Sequence, residues 1–111
     1  MLDLRSDEAH RLRKALIKDP VAEKALAFSL LSDPSRYRVL KALALHPELC
    51  VSDLTELLNM TMPAVSHHLR LLKDADVVEC WRDGQMICYR LAKTPIAAFV
   101  RRALARSLEP A

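Results

Sequence analysis

Residues 52–73 read Ser52-Asp53-Leu54-Thr55-Glu56-Leu57-Leu58-Asn59-Met60-Thr61-Met62-Pro63-Ala64-Val65-Ser66-His67-His68-Leu69-Arg70-Leu71-Leu72-Lys73. Ser52 is placed to cap a short helix through Leu58, because its hydroxyl accepts from first-turn amides that have no intrahelical partner. Asn59-Met60 then supplies a turn. Thr61 is placed to cap a second helix, and Pro63 is tolerated in its first turn, where amides have no acceptor inside the helix. In that second helix Val65, Leu69 and Leu72 form an apolar stripe, while Pro63, Ser66, His67, Arg70 and Lys73 share the opposite side. Two short helices joined by a tight turn, the second with a polar hydrogen-bonding face, have the spacing of a helix-turn-helix over about 52–74. In such a pair the second helix enters a DNA major groove.

Downstream of Asp76 the apolar period changes from 3.6 to 2. Val78 and Cys80 alternate on one strand and Ile87, Tyr89 and Leu91 on another, with Arg82-Asp83-Gly84-Gln85 between them. Asp-Gly between alternating apolar residues is a strong hairpin signal. With Asp83-Gly84 as a two-residue loop, Cys80 faces Ile87 and Val78 faces Tyr89 on a buried face, and Cys88 points the other way as an exposed thiol open to oxidation. Gly84 is then the one position that needs a positive φ. A last amphipathic helix, about 95–108, opens at Thr94-Pro95. It carries Ile96, Phe99, Val100, Ala103, Leu104 and Leu108 on one side and Arg101, Arg102 and Arg106 on the other.

Upstream, apolar residues at helical spacing predict helices over 6–18, 21–31 and 36–45, divided by Pro20 and by Ser32-Asp33-Pro34-Ser35. No linker or repeat interrupts the chain, so residues 1–111 read as one domain, mainly α with a β-hairpin. The order of elements is that of a winged helix-turn-helix, with the wing at about 77–91. A chain of 111 residues buries little core alone, and the amphipathic terminal helices are the natural surface for a homodimer.

Composition excludes other classes. A single glycine in 111 residues leaves no glycine-rich loop to cradle a nucleotide. No run of about 18 apolar residues is present to cross a membrane, and the charged start Met1-Leu2-Asp3-Leu4-Arg5 is no signal peptide, so a cytoplasmic location is expected. Three cysteines, Cys50, Cys80 and Cys88, are too few and odd in number for a disulfide framework, and reduced thiols are expected. Cys50, His46 and Asp53 resemble a catalytic triad by residue type only, since no amide-rich loop offers an oxyanion hole, and an enzyme is not expected. The net charge is +3. Segment 61–90 is neutral, with Arg70, Lys73, Arg82 and Arg90 against Asp74, Asp76, Glu79 and Asp83. Affinity for phosphate must therefore draw on other cations, for which Arg36, Arg38 and Lys41 are candidates.

Three stretches carry a family resemblance. They are Glu48-Leu49-Cys50-Val51-Ser52-Asp53-Leu54, Ala64-Val65-Ser66-His67-His68-Leu69-Arg70-Leu71-Leu72-Lys73 and Arg82-Asp83-Gly84-Gln85-Met86-Ile87-Cys88-Tyr89-Arg90-Leu91. With Asp33-Pro34-Ser35-Arg36 they closely resemble the ArsR/SmtB family of bacterial metal-responsive repressors, from about Leu26 to Leu91. The resemblance implies a homodimeric repressor that binds operator DNA and is released by a metal or metalloid; the chain's own cysteines add a thiol-reactive inducer as a further candidate. It places Thr61, Met62, Pro63, Ser66 and His67 at base- and phosphate-contacting positions, with Arg70 one turn on. Arg82 and Gln85, at the wing tip, have the chemistry to reach the adjacent backbone or minor groove. His68, nearer the apolar stripe, is expected to pack.

The sensing positions depart from the family. Arsenic-responsive members carry three thiolates where this chain has Cys50, Ser52 and Thr55, and a hydroxyl does not replace a thiolate toward a thiophilic ion. Another variant of the family combines the Cys50 and Asp53 positions with N-terminal Cys or His from the partner subunit, and His10 is the N-terminal candidate here. Cys50, Asp53 and His10 thus form a weak set for zinc or another thiophilic ion as inducer. Cys50 also reads as a small apolar residue at a helix entrance. A metal-blind winged helix acting through protein–protein contacts is the alternative function.

Overall fold

The computed structural model describes residues 5–106. Its elements run α1 (Ser6–Lys18), α2 (Val21–Leu31), α3 (Pro34–Leu45), β1 (Leu49–Cys50), α4 (Val51–Leu58), α5 (Met62–Asp74), β2 (Val78–Asp83), β3 (Met86–Leu91) and α6 (Pro95–Ala105). This is a winged helix-turn-helix in which the wing is a three-stranded antiparallel sheet of order β1-β3-β2. The helix limits follow local chemistry. Asp33, Thr61 and Thr94 each accept the amide three residues on, from Arg36, Ala64 and Ala97, and a proline stands in the first turn of all three helices.

The core gathers one stripe from each of α2 to α6: Ala27 and Leu30, then Val39, Leu40 and Leu43, then Leu54, then Val65, Leu69 and Leu72, then Val100 and Leu104. Val77, Val78 and Leu91 close it from the wing. Leu40, Leu54, Leu69 and Leu72 are fully buried, and each contributes about 1.5–3 kcal/mol by leaving water. The central α3 is tied to three neighbours by its cations. Arg36 Nε donates to the Leu30 carbonyl (3.2 Å), Arg38 Nη2 to that of Leu58 (3.3 Å) and Lys41 Nζ to that of Leu104 (3.3 Å). All three carbonyls lie in the last turn of a helix, where the backbone runs out of intrahelical donors.

Several features differ from the sequence expectations. Ser52 is not the cap of α4. The cap position is Cys50, whose amide donates to Asp53 Oδ2 at 2.9 Å, so the carboxylate satisfies the entrance and Ser52 lies inside the helix. The hairpin register is Cys80↔Tyr89 and Val78↔Leu91, with Asp83↔Met86 flanking the loop. Gly84 and Gln85, rather than Asp83 and Gly84, are the loop residues. Gly84 has φ +63° and Gln85 is not among the positive-φ residues, the pattern of a type II′ turn, in which glycine stands first. The shift is two residues, so the facing of each strand is preserved and only the partners change. Asn59 (φ 52°) and Asp76 (φ 61°) also adopt positive φ, conformations that Asn and Asp tolerate better than other side chains. Leu108 and the end of the expected 95–108 helix lie outside the described residues.

The cysteines depart furthest from expectation. β1 pairs with β3 in the register Leu49↔Tyr89 and Cys50↔Cys88, and Cys50 and Cys88 are joined by a disulfide. Cys88 is 3% exposed because β1 covers it, and the free cysteine is Cys80. A cross-link closing a loop of this length, its ends 38 positions apart, stabilises a fold by roughly 2–4 kcal/mol.

A Cβ added at Gly84 meets nothing within 4 Å, so the cost of replacing it is the left-handed conformation alone. Gly84→Val is expected to destabilise the fold by about 1–2 kcal/mol in urea unfolding, and Gly84→Asn by clearly less.

Candidate nucleic-acid interface

The α5 helix has two faces. Val65, Leu69 and Leu72 are fully buried against the core. On the outer side Thr61, Met62, Pro63, His67 and Arg70 are exposed and Ser66 is half-buried. Met62 is 54% exposed, and at the first position of α5 it extends an apolar side chain into solvent beside the helix N-terminus. Thr61 Oγ1 accepts from the Ala64 amide at 3.3 Å, which keeps the hydroxyl at that N-terminus, among first-turn amides that suit an anion such as phosphate. The two halves of the motif are held by the Asn59 left-handed turn, where the Asn59 and Met60 amides return to the Glu56 and Thr55 carbonyls.

The wing stands against the C-terminal half of α5. The hydroxyl of Tyr89 is pushed above its ordinary range chiefly by burial and by Cys80 beside it, and the Lys73 and Arg70 charges of α5 act on it in the opposite sense. The wing tip is open: Arg82, Asp83, Gly84 and Gln85 are all exposed. Helix face and wing tip thus expose hydroxyl, imidazole, guanidinium and amide groups to solvent. The remaining cation candidates, Arg36, Arg38 and Lys41, have the helix-end carbonyl partners described above.

His68 sits differently from His67. Its ring is half-buried, its Nδ1 has no hydrogen-bond partner among the described residues, and desolvation lowers its pKa from the ordinary 6.5. Asp33 opposes that shift, while Arg36 and His67 add to it. Asp33 in turn is held below its ordinary range mainly by the Arg36 amide it caps.

Within one chain the metal candidates do not come together. Cys50 is covalently engaged with Cys88, Asp53 accepts the Cys50 amide, and His10 is an exposed residue of α1. Among the described residues no group of three His, Cys, Asp or Glu side chains is placed to hold an ion. In the bonded form Cys50 offers no thiolate to a thiophilic ion, and His10 is expected from a second copy of the chain.

A polar recognition helix with a flanking wing defines a winged helix-turn-helix DNA-binding protein. Residues 33–79 match the arsR family of bacterial regulatory proteins. A cadmium resistance transcriptional regulatory protein CadC homolog of Staphylococcus aureus is 31% identical over 108 residues, covering 97% of this chain and 89% of the relative. Among solved structures, the AntR antimony-specific transcriptional repressor is 30% identical with a TM-score of 0.63, over 94% of this chain and 84% of that one. The homodimeric winged helix-turn-helix domain of Mb0332 from Mycobacterium bovis, a possible ArsR-family regulator, is 26% identical with a TM-score of 0.65, over 95% and 84%. The chain belongs to the arsR family and is a DNA-binding transcriptional regulator of the ArsR/SmtB type, not an enzyme. No helix among the described residues is long and apolar enough to cross a membrane.

Because the folded chain favours the neutral His68 ring, the unfolded chain takes up the proton first as pH falls through 6.5. Stability present above that pH is lost below it. The melting temperature of the parent chain is expected to fall between pH 7.5 and 5.5 by more than that of His68→Gln, as read by circular dichroism.

Proposed function

We propose that the protein is a homodimeric repressor that reads operator DNA with α5 and steadies itself on the flanking duplex with its wing. The observation that carries this reading is the outer face of α5. Thr61, Met62 and Pro63 stand at its N-terminus, Ser66 and His67 in its middle and Arg70 one turn on, all on the side away from the buried Val65-Leu69-Leu72 stripe. Ser66 and His67 are suited to base edges, which accept and donate at fixed positions in the major groove. Thr61 and the α5 amides suit phosphate, and Arg82 and Gln85 suit the backbone or minor groove beside it.

The dimer reading is supported by the N-terminal helices. No residue of α1 is buried, and Leu16 (68%) and Ile17 (82%) are exposed, with Leu12, Val21, Leu26 and Phe28 beside them in the sequence. Phe28 stacks edge-to-face on Phe99 of α6, with ring centroids 5.3 Å apart, so this apolar surface runs on from α2 to α6. Exposed apolar surface on this scale marks an interaction site. The homodimeric relative from Mycobacterium bovis favours a second copy as its occupant.

An inducer that weakens DNA binding completes the reading. One relative is a cadmium resistance regulator homolog and another an antimony-specific repressor, and a metal or metalloid ion is the inducer class that this likeness brings to the chain. The bonded Cys50 argues for a thiol-directed signal instead.

The test is a gel shift with reduced protein and the DNA upstream of its own coding sequence. A specific complex is expected, and Ser66→Ala and His67→Ala are each expected to weaken it by about 1–3 kcal/mol while leaving nonspecific binding nearly unchanged. Arg82→Ala should weaken specific and nonspecific binding alike and reduce the salt slope by about one. Absence of a specific complex at low salt would overturn the reading, and binding of a protein partner alone would support a protein-interaction module. In sedimentation, Ile17→Lys is expected to shift the parent dimer toward monomer.

A further inference from the structure

We infer that Cys50 and Cys88 are a reversible dithiol/disulfide pair, oxidised by a hydroperoxide, whose state sets the affinity of the protein for operator DNA. The inference rests on the DNA-binding reading above and names the signal that reading leaves open. Three observations carry it: the pairing itself, its position between the two DNA-binding parts, and an indicator beside it.

The pairing is built by the sheet. Cys50 is the last residue of β1 and Cys88 lies in the middle of β3, directly opposite in the ladder, so the fold presents the two sulfurs to each other without help from a third element. Cys80 is one residue from Trp81 on β2 and faces Tyr89, on the other side of the sheet from Cys88. It therefore has no sulfur partner.

The position matters because Cys50 is also the cap residue of α4, the first helix of the helix-turn-helix, and β3 is a strand of the wing. A bond between them ties the entrance of the helix-turn-helix to the wing. When the bond opens, two sulfurs that were covalently joined must separate to van der Waals contact. Cores and ladders are close-packed and do not absorb such a change without movement, so β1 and β3 part. The displacement passes to α4, which packs on α5, and along β3 to the Arg82–Gln85 tip. The dithiol is the form that a reducing cell interior maintains, and it is assigned here to the operator-bound state.

The chemistry closes with a hydroperoxide as the oxidant. Cys50 is half-buried and Cys88 is covered, which makes Cys50 the attacking sulfur. As its thiolate it attacks the distal peroxide oxygen, breaking the O–O bond, and takes up that oxygen as a sulfenic acid while the other oxygen leaves and is protonated to water or an alcohol. The Cys88 sulfur then attacks the sulfenic sulfur, the S–S bond forms and hydroxide leaves as water. Two thiols lose two electrons and two protons, and the peroxide gains both. A small dithiol reverses the reaction by exchange.

Trp81, the single tryptophan, lies opposite Cys88 in the β2–β3 ladder and under the Arg90 guanidinium, 4.9 Å from the ring centroid. A disulfide next to an indole quenches its emission, so Trp81 reports the state of the pair without reference to DNA.

The experiment treats the reduced full chain with stoichiometric hydrogen peroxide and then with dithiothreitol. Peptide mapping, Trp81 emission and binding to the upstream DNA are followed together. Peroxide is expected to join the Cys50 and Cys88 peptides, quench Trp81 and weaken DNA binding by roughly tenfold or more, and dithiothreitol should reverse all three. Cys50→Ser and Cys88→Ser should bind DNA and ignore peroxide, whereas Cys80→Ser should respond like the parent. Should either serine variant fail to fold, the parent and Cys80→Ser still decide the outcome. Failure of the bond to form, or a Cys50–Cys88 bond that leaves affinity within about twofold or raises it, would overturn the inference. Loss of specific binding in the reduced parent would instead overturn the DNA-binding reading, with Trp81 and the peptide map still judging the chemistry of the pair.

Discussion

The burial of Val65, Leu69 and Leu72 is the constraint on which the rest of the molecule depends. All three are fully buried, and together they fix the rotation of α5 about its axis. A helix whose apolar stripe is pinned has no choice about its other face, so Ser66, His67 and Arg70 are held outward by the same packing that stabilises the core. The neighbours of α5 are fixed in turn through α3, whose Arg36, Arg38 and Lys41 reach the last-turn carbonyls of α2, α4 and α6. These cations join four helices at their ends and make the scaffold of the recognition helix stiff.

The sheet adds a second, separate constraint. β3 packs on α3 and α4, and β2 on α5. The short β1 extends the ladder to the helix-turn-helix entrance, and the Cys50–Cys88 bond makes that connection covalent. Recognition helix and wing are therefore coupled along two kinds of route, packing of α3, α4 and α5 on the sheet and a sulfur bridge at the entrance of α4. Only the second route is chemically switchable. The same helix entrance is where the family resemblance of the sequence would place soft donors for an ion. In this chain Ser52 and Thr55 supply no sulfur there, and the thiol of Cys50 finds its partner on β3.

Much of this architecture was legible because its causes are local. The Asp33, Thr61 and Thr94 caps with their following prolines are read directly from residue types, and the stripe of α5 follows from a 3.6-residue period. Strand facing was also legible, since alternation survives a two-residue slip. The register was not, because Asp-Gly suits one turn and Gly-Gln another, and only the ladder decides between glycine as the second or the first loop residue. β1 was invisible: two residues carry no period. The disulfide was hidden for the same reason, because it exists only where β1 meets β3, 38 positions apart. Capping by Asp53 in place of Ser52 likewise depends on the chain arriving from β1. Within the interface, the outward residues of α5 were readable from the sequence. The engagement of Arg36, Arg38 and Lys41 by helix ends was not, since it depends on how helices converge.

The central claim is that the outer face of α5 and the wing tip together form the DNA-binding surface. Amide chemical shifts of the reduced protein, recorded with and without a duplex carrying its upstream DNA, test this most directly. The account predicts perturbations concentrated in residues 61–70 and 82–87, with the outward faces of α3 and α6 little changed. Perturbations centred on α3 or α6, with 61–70 unmoved, would contradict it.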